Sequence, residues 1–232
     1  MRFSVLMSIY IKEKPEYFNR CMESIWDEQT VKPNEIVLVE DGLLSVDLYK
    51  IIRIWKEKLN DNLKIFKIEK NIGLGDALNI GLQNCSYELV ARMDTDDISL
   101  SNRFEKQLKI FENNNIDVCG SYIGEFDNDE NEIIAYRNVP IFHDDIVKFA
   151  KSRNPVNHPS VMFKKSIVEK VGSYKKMISF EDYYLWIRMI LSDAKFYNIQ
   201  ESLVNMRAGY GQLGRRRGLK DALVEYVFLK ES

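Results

Sequence analysis

Apolar residues recur with two different periods along the first hundred positions. Short runs rich in strand-forming residues lie at 3–10 (FSVLMSIY), 34–42 (NEIVLVEDG), 63–68 (LKIFKI) and 88–94 (ELVARMD). Between them, apolar residues fall three and four apart, the spacing of one helix face. Residues 15–28 open with Pro15, suited to a first helical position, and carry Phe18, Cys21, Met22 and Ile25 on one stripe. Residues 45–58 carry Leu48, Ile51, Ile52 and Trp55, and residues 74–83 carry Leu74, Ala77, Leu78 and Leu82. The predicted order is β-α-β-α-β-α-β. Such alternation implies an α/β fold, a mostly parallel sheet with helices on both faces. Open sheets of this class bind ligands beyond the carboxyl ends of their strands. Ser8 and Tyr10, Glu40 and Asp41, and Asp94 to Asp97 all fall at such ends.

The second half is less regular. Residues 101–114 predict a helix with Phe104, Leu108 and Phe111 on one face. DVCGSYIGEF and EIIAYRNV flank the polar DNDEN and predict a hairpin. HDDIVKFAKS predicts a helix, HPSVMFKK a short strand and FEDYYLWIRMILS a helix. KFYNI and LVNMRA predict two short strands. No repeat or low-complexity linker divides the chain, so one domain over 1–232 is expected, with 1–100 as its ligand-binding half and 101–232 as a smaller, mixed region.

Composition narrows the function classes. The chain has 232 residues, 45% of them hydrophobic, enough for a sizeable core. The net charge of −2 argues against a nucleic-acid partner. Basic residues cluster only in GQLGRRRGLK, where Arg215, Arg216 and Arg217 suit phosphate, an anionic membrane surface or simple solvation. The three cysteines have no metal spacing and predict buried core positions in a reducing, cytoplasmic setting. The N-terminus leads directly into a strand pattern, so no leader is expected.

MDTDD raises an electrostatic question. Three carboxylates, Asp94, Asp96 and Asp97, occupy four positions after an apolar run, and they repel one another. A calcium loop counted from Asp94 fails, because Ile98 and Ser99 stand where an oxygen ligand and a glycine are needed. A helix cap by Asp97 or Ser101 accounts for one acid only. A divalent cation shared with a substrate diphosphate accounts for all three, since Mg²⁺ and Mn²⁺ take one or two carboxylates plus phosphate oxygens. GLG at 73–75 lacks the third glycine of a dinucleotide loop, and no phosphate-loop lysine motif exists.

Taken in order, SVLMSIYIKEKPEYFNRCMESIWDEQT, EIVLVEDG, NIGLGDALNIGL, MDTDD with its trailing ISLSNRFEKQ, and FEDYYLWIRM resemble a family 2 glycosyltransferase of GT-A fold. NPVNHPSVMFKK and RAGYGQLGRRRG resemble the bacterial subgroup that builds capsule, exopolysaccharide and lipopolysaccharide, of the amylovoran type. The resemblance implies an inverting transfer from a nucleotide-sugar donor, UDP-linked, to a glycan or lipid-linked acceptor. It implies Mn²⁺ or Mg²⁺ at Asp96 and Asp97, and donor contacts from Ser8, Tyr10, Asp41, Asp94, Asp96 and Arg207. Asp182 matches the general base, with Glu181 and His158 on the acceptor side. In the segment GLGDALN, Leu78 stands where many relatives carry Arg or Lys, so the chain departs there from the family's basic contact to the nucleotide. Cytoplasmic enzyme action at the inner membrane face is expected, with Arg215 to Arg217 touching anionic lipid. A sugar nucleotidyltransferase is the rival enzyme class, but SIYIKEKPEYF has none of its glycines. A non-catalytic relative is the rival outside enzymes, and the retained acids argue against it.

Overall fold

The computed structural model describes residues 1–177 and 180–208. Four parallel strands form the first half: β1 (Phe3–Ile9), β2 (Glu35–Asp41), β3 (Leu63–Ile68) and β4 (Leu89–Arg92). They lie in the order β3-β2-β1-β4. The crossovers carry α1 (Pro15–Met22), α2 (Val46–Leu59) and α3 (Leu74–Asn84). Alternation sorts the strand side chains between two cores. Val5, Met7, Ile36 and Leu38 pack against Phe18, Met22, Leu48 and Trp55 of α1 and α2. Leu6, Val37 and Val90 pack against Leu78 and Leu82 of α3. Covered on both faces, β1 and β2 are buried almost throughout and read as continuous apolar runs rather than as alternation.

The stripe at 15–28 is one helical path in two geometries. After Met22 the helix widens into a π turn over Glu23–Asp27. Ser24 there donates to the Cys21 carbonyl (2.7 Å) and accepts from the backbone N–H of Ser99 (3.0 Å). The widened turn thereby fastens the strand that follows the acids. Close approach of α3 to the sheet depends on Gly81, where a Cβ would overlap the Leu6 and Val39 side chains. Gly81→Ala is expected to destabilise the fold by about 1–3 kcal/mol through overpacking, read as a lower urea midpoint with unchanged slope.

The second half adds β5 (Ile98–Ser99), α4 (Arg103–Asn113), β6 (Val118–Phe126), β7 (Ile133–Arg137), α5 (His143–Phe149), β8 (Met162–Lys164), α6 (Lys165–Lys170), α7 (Glu181–Leu191) and β9 (Phe196–Arg207). The sheet continues β4-β8-β6-β9-β5, with β7 hairpinned on β6. β8 is antiparallel to both neighbours, so the unbroken parallel run stops at β4, and a parallel pair recurs between β6 and β9.

Four expectations change. The strands foreseen at 195–199 and 203–208 are one strand, β9. Its pairing with β6 steps from Ile199 to Ser202, so exposed Gln200 and Glu201 bulge out of register and read in the sequence as a break. The strand foreseen at 158–165 shrinks to β8, because Pro159 holds residues 158–160 in a 3-10 turn. β5 and α6, two and six residues long, are too short to show a period. Neither Asp97 nor Ser101 stands at the cap of α4: that position is Asn102, with no side-chain cap hydrogen bond, and Asp97 accepts from the Arg207 N–H. Arg215 to Arg217 lie outside the described residues. Among the described residues, no helix is long and apolar enough to cross a membrane.

Candidate active site

β4 ends at Arg92, and the chain then turns through the acids into β5. Arg92 is buried and forms an ion pair with Asp94. Behind it lies a second buried cation, Arg103 of α4. It donates to the Arg92 carbonyl (2.8 Å) and to Gln107 (3.1 Å), and reaches the Met93 sulfur. Burial and the neighbouring Arg92 push its pKa down to about 9. The two arginines brace the segment that carries the acids.

Among the described residues, neither Asp96 nor Asp97 has an ion pair of its own, and Arg92 acts on both only at longer range. Asp97 Oδ1 accepts the backbone N–H of Arg207 (2.9 Å), while its Oδ2 is buried with no hydrogen-bond partner among the described residues. Burial raises the Asp96 pKa to about 7, helped by repulsion from Asp94 and Glu13. Burial, Asp94 and Asp96 raise Asp97 well above the usual carboxylate range. The cluster holds a fourth acid. Glu13, on the loop after β1, accepts a hydrogen bond from Thr95, and burial raises its pKa. Nothing in the local sequence marks Glu13, because IKEKP reads as a solvated loop. Its partner is 82 positions away.

Arg207 closes the cluster at the end of β9. Its guanidinium lies between the rings of Tyr17 (3.7 Å) and Phe126 (4.5 Å) and donates to the carbonyls of Asp96 (3.3 Å) and Asp127 (3.2 Å). On the rim at the ends of β1 and β2, Ser8 is half-buried and Tyr10 exposed. Asp41 is buried, and its carboxylate accepts from Ile72 N–H (2.7 Å), Gly73 N–H (3.1 Å) and the Asn71 amide (2.9 Å). It therefore shapes the turn into α3, where Gly73 takes a φ of 96° that suits glycine.

The third group gathers at the start of α7. Glu181 and Asp182 occupy its first turn, where the helix dipole favours carboxylates. Asp182 Oδ2 accepts from the Asn154 amide at 2.7 Å. Burial raises the Glu181 pKa. α3 runs close to this helix start: a Cβ at Gly75 would lie in ordinary contact with Glu181 Cγ (3.4 Å) and Tyr174 Cβ (3.7 Å). Tyr174 is fixed by paired hydrogen bonds with Asn79, both 2.8 Å, and its hydroxyl meets His158 Nε2 at 2.9 Å. Burial and the nearby Arg92 hold His158 neutral. Arg92 acts electrostatically on His158 and Tyr174 as well as pairing with Asp94, and so links groups that the sequence shows 60 or more positions apart. Arg92, Arg103, Asn154 and Tyr174 escape a sequence reading: Arg92 is the one polar residue of an apolar strand, Arg103 is one of several charges on an amphipathic helix, and Asn154 and Tyr174 stand in unremarkable loops.

A parallel nucleotide-type half carrying acids at its strand ends, continued by a mixed half with an acid pair, is the layout of a GT-A glycosyltransferase. The chain belongs to glycosyl transferase family 2, whose model matches residues 4–172. That match includes the acids at 94–97 and stops before α7. The chain is 42% identical to the amylovoran biosynthesis glycosyltransferase AmsE of Erwinia amylovora, over 93% of this chain and 80% of AmsE. It is 39% identical to the UDP-Gal:alpha-D-GlcNAc-diphosphoundecaprenol beta-1,3-galactosyltransferase of Escherichia coli, over 97% and 80%. Its fold is similar to that of S. aureus TarS 1-349 in complex with UDP-GlcNAc, with a TM-score of 0.73 at 18% identity, covering 99% of this chain and 67% of that one. The chain spans 60% of the TarS 1-349 chain without that ligand.

Proposed function

We propose that this glycosyltransferase moves a sugar, with inversion, from a UDP-sugar to a hydroxyl of a lipid-linked bacterial surface glycan. The observation that carries the reading is the presence of two acid groups about one buried tyrosine, Tyr174, which feels Asp94 of the first and Asp182 of the second. One group, at the ends of the parallel strands, suits a metal-bound diphosphate; the other, at the start of α7, suits a base. In this reading residues 1–100 hold the donor, and residues 101–232 supply the acceptor side and the base.

The donor residues divide by their partners. Ser8 and Tyr10 flank the base, and Asp41 holds the turn against which the nucleoside lies. Asp94 is neutralised by Arg92, which leaves Asp96 and Asp97 to hold Mn²⁺ or Mg²⁺. The fit is supported by the unpartnered Asp97 Oδ2 and by the raised pKa of both carboxyls, which a cation would lower. Among the described residues no three His, Cys, Asp or Glu side chains could hold a metal alone, so diphosphate oxygens would complete the shell. The bound ion would supply charge neutralisation to the departing diphosphate. Arg207, anchored to the Asp96 carbonyl, adds a positive charge beside it.

Asp182 takes the proton of the acceptor hydroxyl as its oxygen bonds to the anomeric carbon. The bond from that carbon to the diphosphate oxygen breaks on the opposite face, and UDP leaves with the electron pair. Glu181 and the neutral His158 line the acceptor side. UDP and the lipid-linked acceptor are supported by the Escherichia coli relative's substrates. Action at the cytosolic membrane face, with Arg215 to Arg217 on anionic lipid, follows from such an acceptor and is consistent with three buried free thiols.

A thermal-shift screen of nucleotide sugars, with and without Mn²⁺, tests the donor. A UDP-sugar is expected to raise the melting temperature most, and only with Mn²⁺. The largest shift from a guanosine or deoxythymidine sugar would contradict the assignment.

A further inference from the structure

Asn154 sits between α5 and the 3-10 turn, on a loop tied down from several sides. Pro155 restricts its backbone to an extended conformation. The Pro155 carbonyl accepts from the Asn198 amide (3.0 Å). Val156 is buried, and the Asn157 amide donates to the carbonyls of Ser121 (2.9 Å) and Arg137 (3.1 Å). The Asn154 side chain is oriented as well. Its Oδ1 accepts the N–H of Val156 (3.3 Å), so its NH₂ group faces Asp182 Oδ2 at 2.7 Å. An amide held this way offers the carboxylate only a donor. A donor of this kind stabilises the ionised carboxylate over the protonated acid.

We infer that Asn154 is the positioning residue for the proposed base: its amide holds the Asp182 carboxylate ionised and in a fixed orientation toward the acceptor hydroxyl. The inference rests on the reading of Asp182 as base. Among the described residues, Glu181 and Tyr174 also act on or feel Asp182. Glu181 on the same helix repels it, and the Tyr174 hydroxyl is engaged with His158. Arg153, beside Asn154, lies over the Phe149 ring at 6.0 Å. A rigid loop that aims one amide at one carboxylate is the support a base needs to keep its geometry between turnovers.

The test is a titration of the Asp182 carboxyl by ¹³C NMR in the intact protein, with the signal assigned by its loss in Asp182→Asn. In Asn154→Ala the midpoint is expected to rise by about one pH unit, and in Asn154→Asp by more, because a like charge replaces the donor. Turnover at neutral pH is expected to fall about ten- to a hundredfold in Asn154→Ala, with the donor KM unchanged. Binding of UDP with Mn²⁺ serves as the folding control, and Asn154→Ser replaces any variant that fails it. An unmoved midpoint in a folded variant overturns the inference while leaving Asp182 as base. Wild-type turnover in Asp182→Asn overturns the base and this inference together.

Discussion

Asp182→Asn loses sugar transfer by about 10²- to 10⁴-fold while UDP binding stays at the wild-type level. The substitution keeps the shape of the side chain and an oxygen that can accept from the Asn154 amide, so the start of α7 is preserved. It removes the capacity to take a proton. The acid cluster, on the turn between β4 and β5 and the loop after β1, is untouched. The expected signature is a fall in kcat with little change in the KM for donor, measured by UDP release alongside calorimetry of UDP binding. Turnover near wild type would remove Asp182 from the mechanism.

Asp96→Ala is expected to weaken Mn²⁺-dependent UDP binding by about a hundredfold or more, because it removes one of the two carboxylates proposed to hold the ion. The same cluster makes stability without metal depend on pH in an unusual direction. The folded pKa of Asp96, about 7, lies above its ordinary value of 3.8. Between those values the folded protein keeps a proton that the unfolded chain releases, so stability falls as pH rises through that window. Without metal the protein should melt higher at pH 5.5 than at pH 8. Mn²⁺ with UDP should stabilise it more at pH 8, where the carboxylates are free to bind. Asp97→Asn keeps an acceptor for the Arg207 N–H and removes one buried charge, so it should raise the metal-free melting temperature and blunt the Mn²⁺ response. A melting temperature without metal that rises from pH 5.5 to pH 8 would contradict the charge-crowding account.

The parallel half of the fold was legible because each strand and helix there is long enough to show its period, and burial on both faces keeps the strands apolar. The second half was less so. β9 carries an exposed bulge that imitates a turn, and β5 is two residues long. The acids at 94–97 were visible because three charges crowd one strand end. Their counter-charges were not: Arg92 sits inside an apolar run, and Arg103 inside an amphipathic helix whose exposed residues are also charged. Glu13 reaches the cluster only through the fold. Asp41 illustrates a different limit. The sequence places it at the rim, and the fold then engages its carboxylate with the turn at 71–73.

The anomeric configuration of the transferred sugar tests the central claim most directly. With an α-linked UDP-galactose or UDP-glucose donor, ¹H NMR of the product should show the large H1–H2 coupling of a β-glycoside, as direct displacement assisted by Asp182 requires. A small coupling, meaning an α-product with retained configuration, would contradict a single base acting opposite a metal-held diphosphate.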